Sequence, residues 1–334
     1  MKTEPVIPLE QIRQHINENY DVHIQTLEFL PVGEGAWCFR GKGDTSLFIR
    51  LVQDPLAEEK ATSVSKFLHG KGLPVLAPLP DKSGNLISFI DGSGLSVYPF
   101  IHGSTLMDLM ESTFTDEDAS PLRKETGAFV ACLHRIDRTK YAKLALPTED
   151  FSRFQDESIA IIRMDNRQQS YPLIGELCHF LSVWRRELES LIAATQKLAR
   201  MLRSEKLDYV LCHGDIHEAN VLVSREGERF IIDWDNVILA PKERDLMFFY
   251  GNALLDYLDG YFGHDVPRSI NQAVVDYYVL EWALQEIVDY GTRILFDTRF
   301  DRDGRIDAWQ QFQGLFEPGG DVEMAFALIR KMEI

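Results

Sequence analysis

His213, Gly214 and Asp215 stand together in the run YVLCHGDIHEAN, with Asn220 five residues beyond the aspartate and Asp233 eighteen beyond it. These residue types suit phosphoryl transfer from a nucleotide, a reaction in which positioning and charge neutralisation do most of the catalysis. Asp215 can accept the proton of a hydroxyl group. Asn220 offers a neutral oxygen and Asp233 an ionised one, the hard ligands that Mg²⁺ prefers while water and phosphate take its other positions. The apolar runs VLV and RFIID, joined by SREGE, read as a β-hairpin. Asp215 and Asn220 then share a loop, and Asp233 ends the strand that follows.

The pattern H-G-D-x-x-x-x-N followed by I-I-D-W-D resembles the catalytic segment of the aminoglycoside phosphotransferase and choline kinase family, which has a protein-kinase-like, two-lobed fold. Meeting five specified residues in register by accident has odds of about one in ten thousand in a chain this long. The longer runs CHGDIHEANVLV, FIIDWDNVILAPKERDLMFF, YYVLEWALQEIVDYG and FEPGGDVEMAFA are similar to the spectinomycin phosphotransferase branch of that family. The similarity runs through much of the second lobe and is weaker in the first. It implies that Asp215 is the catalytic base, that Asn220 and Asp233 are the magnesium ligands, and that Asp245 is a structural acid supporting the catalytic loop. The implied cofactors are ATP, or GTP, and Mg²⁺. In this family the acceptor sits on second-lobe helices, which makes Asp235, Glu281 and Asp289 candidates for binding its amines. Asp235 has two other readings, a second metal ligand or a cap on the next turn, and the turn role has precedence because Asp after a strand is a common turn former.

The same resemblance assigns roles in the first lobe. In SLFIRLV, alternation sets Ser46, Phe48, Arg50 and Val52 on one face and Leu47, Ile49 and Leu51 on the other. Arg50 occupies the position of a lysine that holds the α and β phosphates and pairs with a helix glutamate. Glu59 is the matching acid, with Glu58 the alternative one residue away. Arginine keeps the charge and can bind phosphate or carboxylate through a bidentate fork, but its length and planarity alter the alignment. Gly33 and Gly35, in PVGEGAW, sit where backbone N–H groups can approach phosphates, although a plain hairpin turn explains the pair equally well. Tyr98, Phe100 and Ile101 belong to the expected hinge against the adenine edge.

Around these residues the chain divides by composition. Asp21 to Leu30, Ala36 to Arg40, Ser46 to Val52, Asn85 to Ile90 and Leu95 to Phe100 read as strands. A single helix over Ala57 to His69 interrupts them and ends at Gly70 and Gly72. Beyond Gly103 the apolar spacing becomes helical, over Leu122 to Ile136, Ile174 to Leu202, Ile270 to Leu295 and Val322 to Met332. The expectation is an α+β, bilobal protein-kinase-like fold. An N-terminal antiparallel sheet with one helix forms a nucleotide-binding lobe over residues 1–101, and a mainly helical catalytic and substrate-binding lobe covers 102–334.

At 334 residues, 45% hydrophobic and 26% charged, the chain can bury a sizeable core. Its 52 acidic and 35 basic residues leave a net charge of −17, which argues against nucleic acid as a partner and for a cationic small-molecule substrate. The start lacks the apolar core of a signal peptide and no run has the length of a membrane span, so a cytoplasmic monomer or weak dimer with no membrane partner is expected. Cys38, Cys132, Cys178 and Cys212 form no C-x-x-C pair and read as reduced and mostly buried.

Other features take structural readings. His213, His217 and Cys212 resemble no zinc pattern, and His134 reads as a packed or capping histidine. Trp234, Phe248, Phe249 and Tyr250 read as core. Glu281, Glu286, Asp289, Asp256 and Asp259 read by composition as a solvated face. Two alternatives stand beside an antibiotic kinase. One is a kinase of a metabolite such as choline, homoserine or a sugar, since fold does not fix substrate. The other is a catalytically weakened nucleotide-binding module, suggested by Arg50 alone.

Overall fold

The computed structural model describes residues 3–33, 35–164, 172–249, 253–263, 269–297 and 299–332. Two compact units emerge, one from Glu4–Thr148 with Tyr209–Ser269, the other from Glu149–Asp208 with Ile270–Ile334 and Thr3. Compactness therefore follows a different line from composition. Residues 4–101 share a unit with the segment around Asp215, because backbone pairing such as Ile231 N–H to Pro74 O ties the two stretches together.

In chain order the first unit begins with α1 (Leu9–Asn19), β1 (Ile24–Leu30), β2 (Trp37–Gly43), β3 (Ser46–Val52) and α2 (Pro55–His69). β4 (Ser88–Ile90), β5 (Ser93–Pro99), β6 (Gly103–Thr105), α3 (Leu106–Ser112) and α4 (Asp116–His134) follow. β1 to β5 form one antiparallel sheet in the order β1-β2-β3-β5-β4. The alternation expected in β3 is realised: Leu47, Ile49 and Leu51 enter a core with Ile12 and Ile16 of α1, Phe39 of β2, and Leu95 and Val97 of β5. On the other face, Val52 and Phe48 pack with Ala36 and Cys38.

Two helices, not one, accompany this sheet. α1 buries Ile12 and Ile16, one helical turn apart, on an otherwise polar segment. Asp54 caps α2 by accepting from the N–H groups of Leu56 and Ala57, with Pro55 in the first turn.

α4 begins earlier than its apolar spacing suggests, because Thr115 and Asp118 form a capping box, and Pro121 lies inside the helix. α9 (Leu254–Phe262) packs against α4 so closely that a β-carbon on Gly127 would overlap the carbonyl oxygen of Tyr257, and one on Gly260 that of Lys124. Gly127→Ala must push the two backbones apart. A loss of about 2 kcal/mol is expected for this overpacking, readable as a lower midpoint in urea with unchanged slope.

The rest of the unit is strand-rich. β7 (Tyr209–Cys212) pairs antiparallel with β10 (Ile238–Pro241), and α8 (Glu243–Leu246) follows. β8 (Val221–Ser224) and β9 (Arg229–Ile231) make the expected hairpin, with β6 added on the far edge of β8.

The second unit is helical: α5 (Gln155–Ile162), α6 (Pro172–Val183), α7 (Arg185–Leu202), α10 (Gln272–Leu295), α11 (Arg302–Gly314) and α12 (Asp321–Met332). The helix expected over Ile174 to Leu202 is broken at Trp184, whose ring is gathered into an aromatic cluster with Phe180, Phe316 and Phe326. Among the described residues no helix is long and apolar enough to cross a membrane. No disulfide joins the cysteines. Cys38 and Cys212 are buried, but Cys132 is exposed, on the outward face of α4.

Candidate active site

The loop after β7 is held from below by one buried carboxylate. Asp245, fully enclosed, accepts the N–H of His213 through Oδ2 at 3.0 Å and the N–H of Gly214 through Oδ1 at 2.7 Å. His134 Nε2 lies 2.9 Å from the same Oδ2, and its Nδ1 lies 2.8 Å from the Tyr261 hydroxyl. Burial opposes ionisation of Asp245, yet His134, His213 and the Gly214 N–H outweigh it and hold the carboxyl below its ordinary range. His134 is thus packed, as expected, and its ring orients this acid. Gly214 has φ +84°, and a β-carbon there would overlap the carbonyl oxygen of Asn236. Only glycine fits the bend that delivers Asp215.

Beyond the bend, the amide nitrogen of Asn220 donates to the carbonyl oxygen of Asp215 at 2.8 Å. That bond commits Nδ2 to the loop and leaves Oδ1 as the ligating atom. Ile232 N–H donates to the Asn220 carbonyl at 3.1 Å, and His213 Nε2 lies 2.9 Å from the Ile232 carbonyl. These bonds bring the end of the hairpin against the loop, so Asp233 follows directly on a residue bonded to both. Asp233 itself has φ +63°, a left-handed conformation that costs a side-chain-bearing residue about 1 kcal/mol.

The carboxylates here crowd one another. The surrounding protein and then the charge of Asp235 push Asp233 up to about 7, with Asp215 and Glu58 adding to the repulsion and Arg50 opposing it. Hard oxygens, excess negative charge and an uncommitted amide oxygen are what a divalent cation requires, and the residues fit Mg²⁺ on those grounds. At Asp215, burial works against the charged form, and His217, His213 and Arg244 overcome it, so the carboxyl ionises below its usual range.

Arg50 reaches this cluster from β3. Its Nη2 donates to Asp235 Oδ2 at 2.6 Å and lies 3.5 Å from Glu58 Oε2, while Nη1 is 3.8 Å from Asp233 Oδ1. Burial would lower the guanidinium pKa, but Asp235, Glu58 and Asp233 together hold it well above its ordinary value. Its Nε is enclosed and has no hydrogen-bond partner among the described residues.

The helix acid beside Arg50 is Glu58, not Glu59, which is exposed. Glu58 shares a face with Ala61, Thr62, Ser65 and Leu68, all buried. Counting back from Leu68 in steps of three and four finds it. Ser96, opposite Arg50 in the β3–β5 register, donates to Glu58 Oε1 at 2.5 Å. Burial raises the Glu58 pKa, with Arg50 pulling against it.

Gly33 lies in the left-handed region, and Gly35 approaches Asp235, whose Oδ2 would be 3.3 Å from an added β-carbon. Glu34 lies outside the described residues. At the hinge, the Phe100 N–H is spent on the Ser46 carbonyl at 3.1 Å. The Tyr98 side chain is buried, which pushes its phenol pKa upward.

Asp235 is an ion-pair partner of Arg50 rather than a simple turn cap. Glu281 and Asp289 lie on α10 in the helical unit. Glu281 is wholly buried, against the solvated face expected of these acids, and Asp289 is half-buried. Asp256 pairs with Arg123 and Lys124. Trp234, Phe248 and Phe249 are core, while Tyr250 lies outside the described residues. His217, which the sequence sets beside no recognised pattern, lies 3.2 Å from Asp215 Oδ1.

The chain is similar to known proteins over most of its length. The phosphotransferase enzyme family matches residues 36–284. Protein StrN of Streptomyces griseus is 29% identical over 305 residues, covering 85% of this chain and 84% of that protein. The crystal structure of spectinomycin phosphotransferase APH(9)-Ia in complex with ADP and spectinomycin superposes with a TM-score of 0.79 and 25% identity, over 97% of this chain and 99% of that one. Choline kinase LicA from Streptococcus pneumoniae shares the fold, with a TM-score of 0.57 and 14% identity over 91% of this chain and 97% of its own. With the family's match spanning most of its length, the chain belongs to the phosphotransferase enzyme family.

Proposed function

We propose that this phosphotransferase moves the γ-phosphoryl group of ATP, or GTP, onto a hydroxyl of a spectinomycin-like aminocyclitol or an aminoglycoside. The observation that carries the reading is the meeting of Asp215, Asn220, Asp233 and Arg50 within one compact unit. Support for the acceptor comes from the structure that holds ADP and spectinomycin, matched over 97% of this chain, and from the charge of −17. The reading takes residues 1–101 as the nucleotide-binding lobe and 102–334 as the catalytic and acceptor-binding lobe, in a cytoplasmic protein.

In the reaction, the acceptor oxygen bonds to the γ-phosphorus while the bond to the β-phosphate oxygen breaks. The hydroxyl proton passes to Asp215, and the nucleoside diphosphate leaves. Ionised Asp215 orients the hydroxyl before it accepts the proton. Arg50, braced by Glu58, meets the α and β phosphates through its guanidinium. Asn220 and Asp233 would hold Mg²⁺, which neutralises charge on the phosphates when bound. Gly33 and Gly35 offer backbone N–H groups, and Ile101 an edge for the base. Among the acids considered for the acceptor's ammonium groups, half-buried Asp289 suits the role better than enclosed Glu281.

The test is a panel of spectinomycin, aminoglycosides, choline, homoserine and sugars incubated with protein, Mg²⁺ and each nucleotide, followed by mass spectrometry. A phosphoryl gain on the aminocyclitol or aminoglycosides supports the reading. Gain only on a metabolite replaces the acceptor, and nucleotide binding with no gain anywhere leaves the binding module.

Asp233 adds a pH dependence. With its carboxyl at about 7, the metal-free protein holds a proton that cation binding must displace. Mg²⁺ affinity, measured with a nucleotide analogue, should rise with pH up to about 7 and level off above it. Calorimetry in buffers of different ionisation enthalpy should record close to one proton released below that pH and almost none well above it.

A further inference from the structure

His217 lies beside Asp215, and the reaction scheme leaves it without a role. Its backbone opens the 3₁₀ turn Glu218–Asn220, and its Nδ1 lies 3.3 Å from the Ala219 N–H, which donates to it. Nδ1 accepts that N–H and so carries no proton, which places the ring's proton on Nε2. Nε2 lies 3.4 Å from Asn220 Nδ2 and 3.2 Å from Asp215 Oδ1. The Asn220 amide nitrogen is itself a donor, already bonded to the Asp215 carbonyl, which leaves Oδ1 as the acceptor for the imidazole proton. That oxygen is enclosed and has no aligned donor among the described residues. The approach of Nε2–H is oblique, a form of contact that tightens in many enzymes once substrates are in place. Phe248 backs the imidazole, with ring centroids 6.0 Å apart.

We propose that His217 is a positioning residue for the catalytic base: its Nε2–H holds Oδ1 of Asp215, leaving Oδ2 to receive the acceptor's proton. The inference rests on the reading of Asp215 as base. The imidazole also joins two features of the loop, since the nitrogen that caps the turn bearing Asn220 determines which nitrogen faces Asp215.

Two substitutions separate the two tasks. His217→Asn keeps an acceptor for the Ala219 N–H, since Asn is a good capping residue, but it cannot reach Asp215. His217→Gln carries an amide nitrogen where Nε2 stood. His217→Asn is expected to lower kcat by about a hundredfold, the scale of an ångström-sized misplacement, with KM for nucleotide and acceptor and the melting midpoint unchanged. His217→Gln should recover most of the rate. A His217→Asn protein as fast as the native one overturns the proposal, as does one that loses stability and KM along with kcat.

A readout independent of turnover is the long-range ¹H–¹⁵N spectrum of the histidines in the nucleotide-free protein. A protonated Nε2 whose signal moves in Asp215→Asn is expected for His217; an Nδ1–H form, or a signal indifferent to Asp215, contradicts the contact. If the native protein phosphorylates nothing in the panel, the phosphotransfer reading falls, while the spectrum still decides whether His217 holds Asp215.

Discussion

Asp215→Ala should abolish phosphoryl transfer, with kcat falling by about 10⁴-fold, the upper range for loss of a positioned general base, while nucleotide affinity stays within a small factor of native. The split follows from where Asp215 sits. In the proposed reaction it faces the acceptor, whereas the contacts to phosphate fall to Arg50 and those to the cation to Asn220 and Asp233. Loss of a side chain that is 17% exposed also frees His217 and Asn220 to shift, so Asp215→Asn is the companion variant. It keeps the volume and a hydrogen-bonding oxygen but removes the charge, and should be nearly as inactive. Rapid-mix acid quench with radiolabelled nucleotide measures the transfer, and equilibrium binding of a fluorescent nucleotide analogue measures the affinity.

Asp233→Ala should have the other large effect, with a different signature. Removing the proposed anionic cation ligand is expected to cost about a thousandfold in kcat, on the scale of losing a group that stabilises charge in the transition state. It should also weaken Mg²⁺-dependent nucleotide binding and abolish the proton release described above. In the absence of divalent cations the variant should be the more stable protein. Its native counterpart carries a carboxyl pushed up to about 7 by the surrounding protein and by Asp235, and ionising that group costs the folded state stability as pH rises through the window between its ordinary value and 7, by an amount that solvent screening reduces because the side chain is 43% exposed. Thermal melts with EDTA at a pH above 7, with Asp233→Ala melting higher than native, check that sign.

Much of this site can be read without coordinates, for identifiable reasons. β3 has the bounds its alternation suggests, because a strand with one buried face has a period of two and few ways to slip. The hairpin over VLV and RFIID is equally legible from its turn residues. The helix of residues 55–69 was legible in existence but not in phase. Its start two residues earlier, at the Asp54 cap and Pro55, is a local signal, and the buried row of Ala61, Ser65 and Leu68 selects Glu58.

What stayed hidden depends on chain folding over long separations. Nothing near residue 96 announces that Ser96 will donate to Glu58, and the pairing of β7 with β10 joins segments whose apolar runs are too short to be told apart by periodicity. α1 escaped because two isoleucines carry its whole buried face. The break at Trp184 was hidden because helical spacing continues on both sides, and only the aromatic cluster reveals why the chain turns. Glu281 shows the same limit. Helical spacing cannot separate an acid on a wet face from one enclosed by neighbouring helices.

In the proposed mechanism Asn220 and Asp233 hold the cation that carries the nucleotide phosphates, next to Asp215. Anomalous scattering from Mn²⁺ in crystals grown with a non-hydrolysable ATP analogue tests it in one measurement. A single strong peak is expected within ligating distance of both Asn220 Oδ1 and the Asp233 carboxylate, with Arg50 turned from Asp235 toward phosphate. A peak that touches neither residue, with the analogue's phosphates away from Arg50, would contradict it.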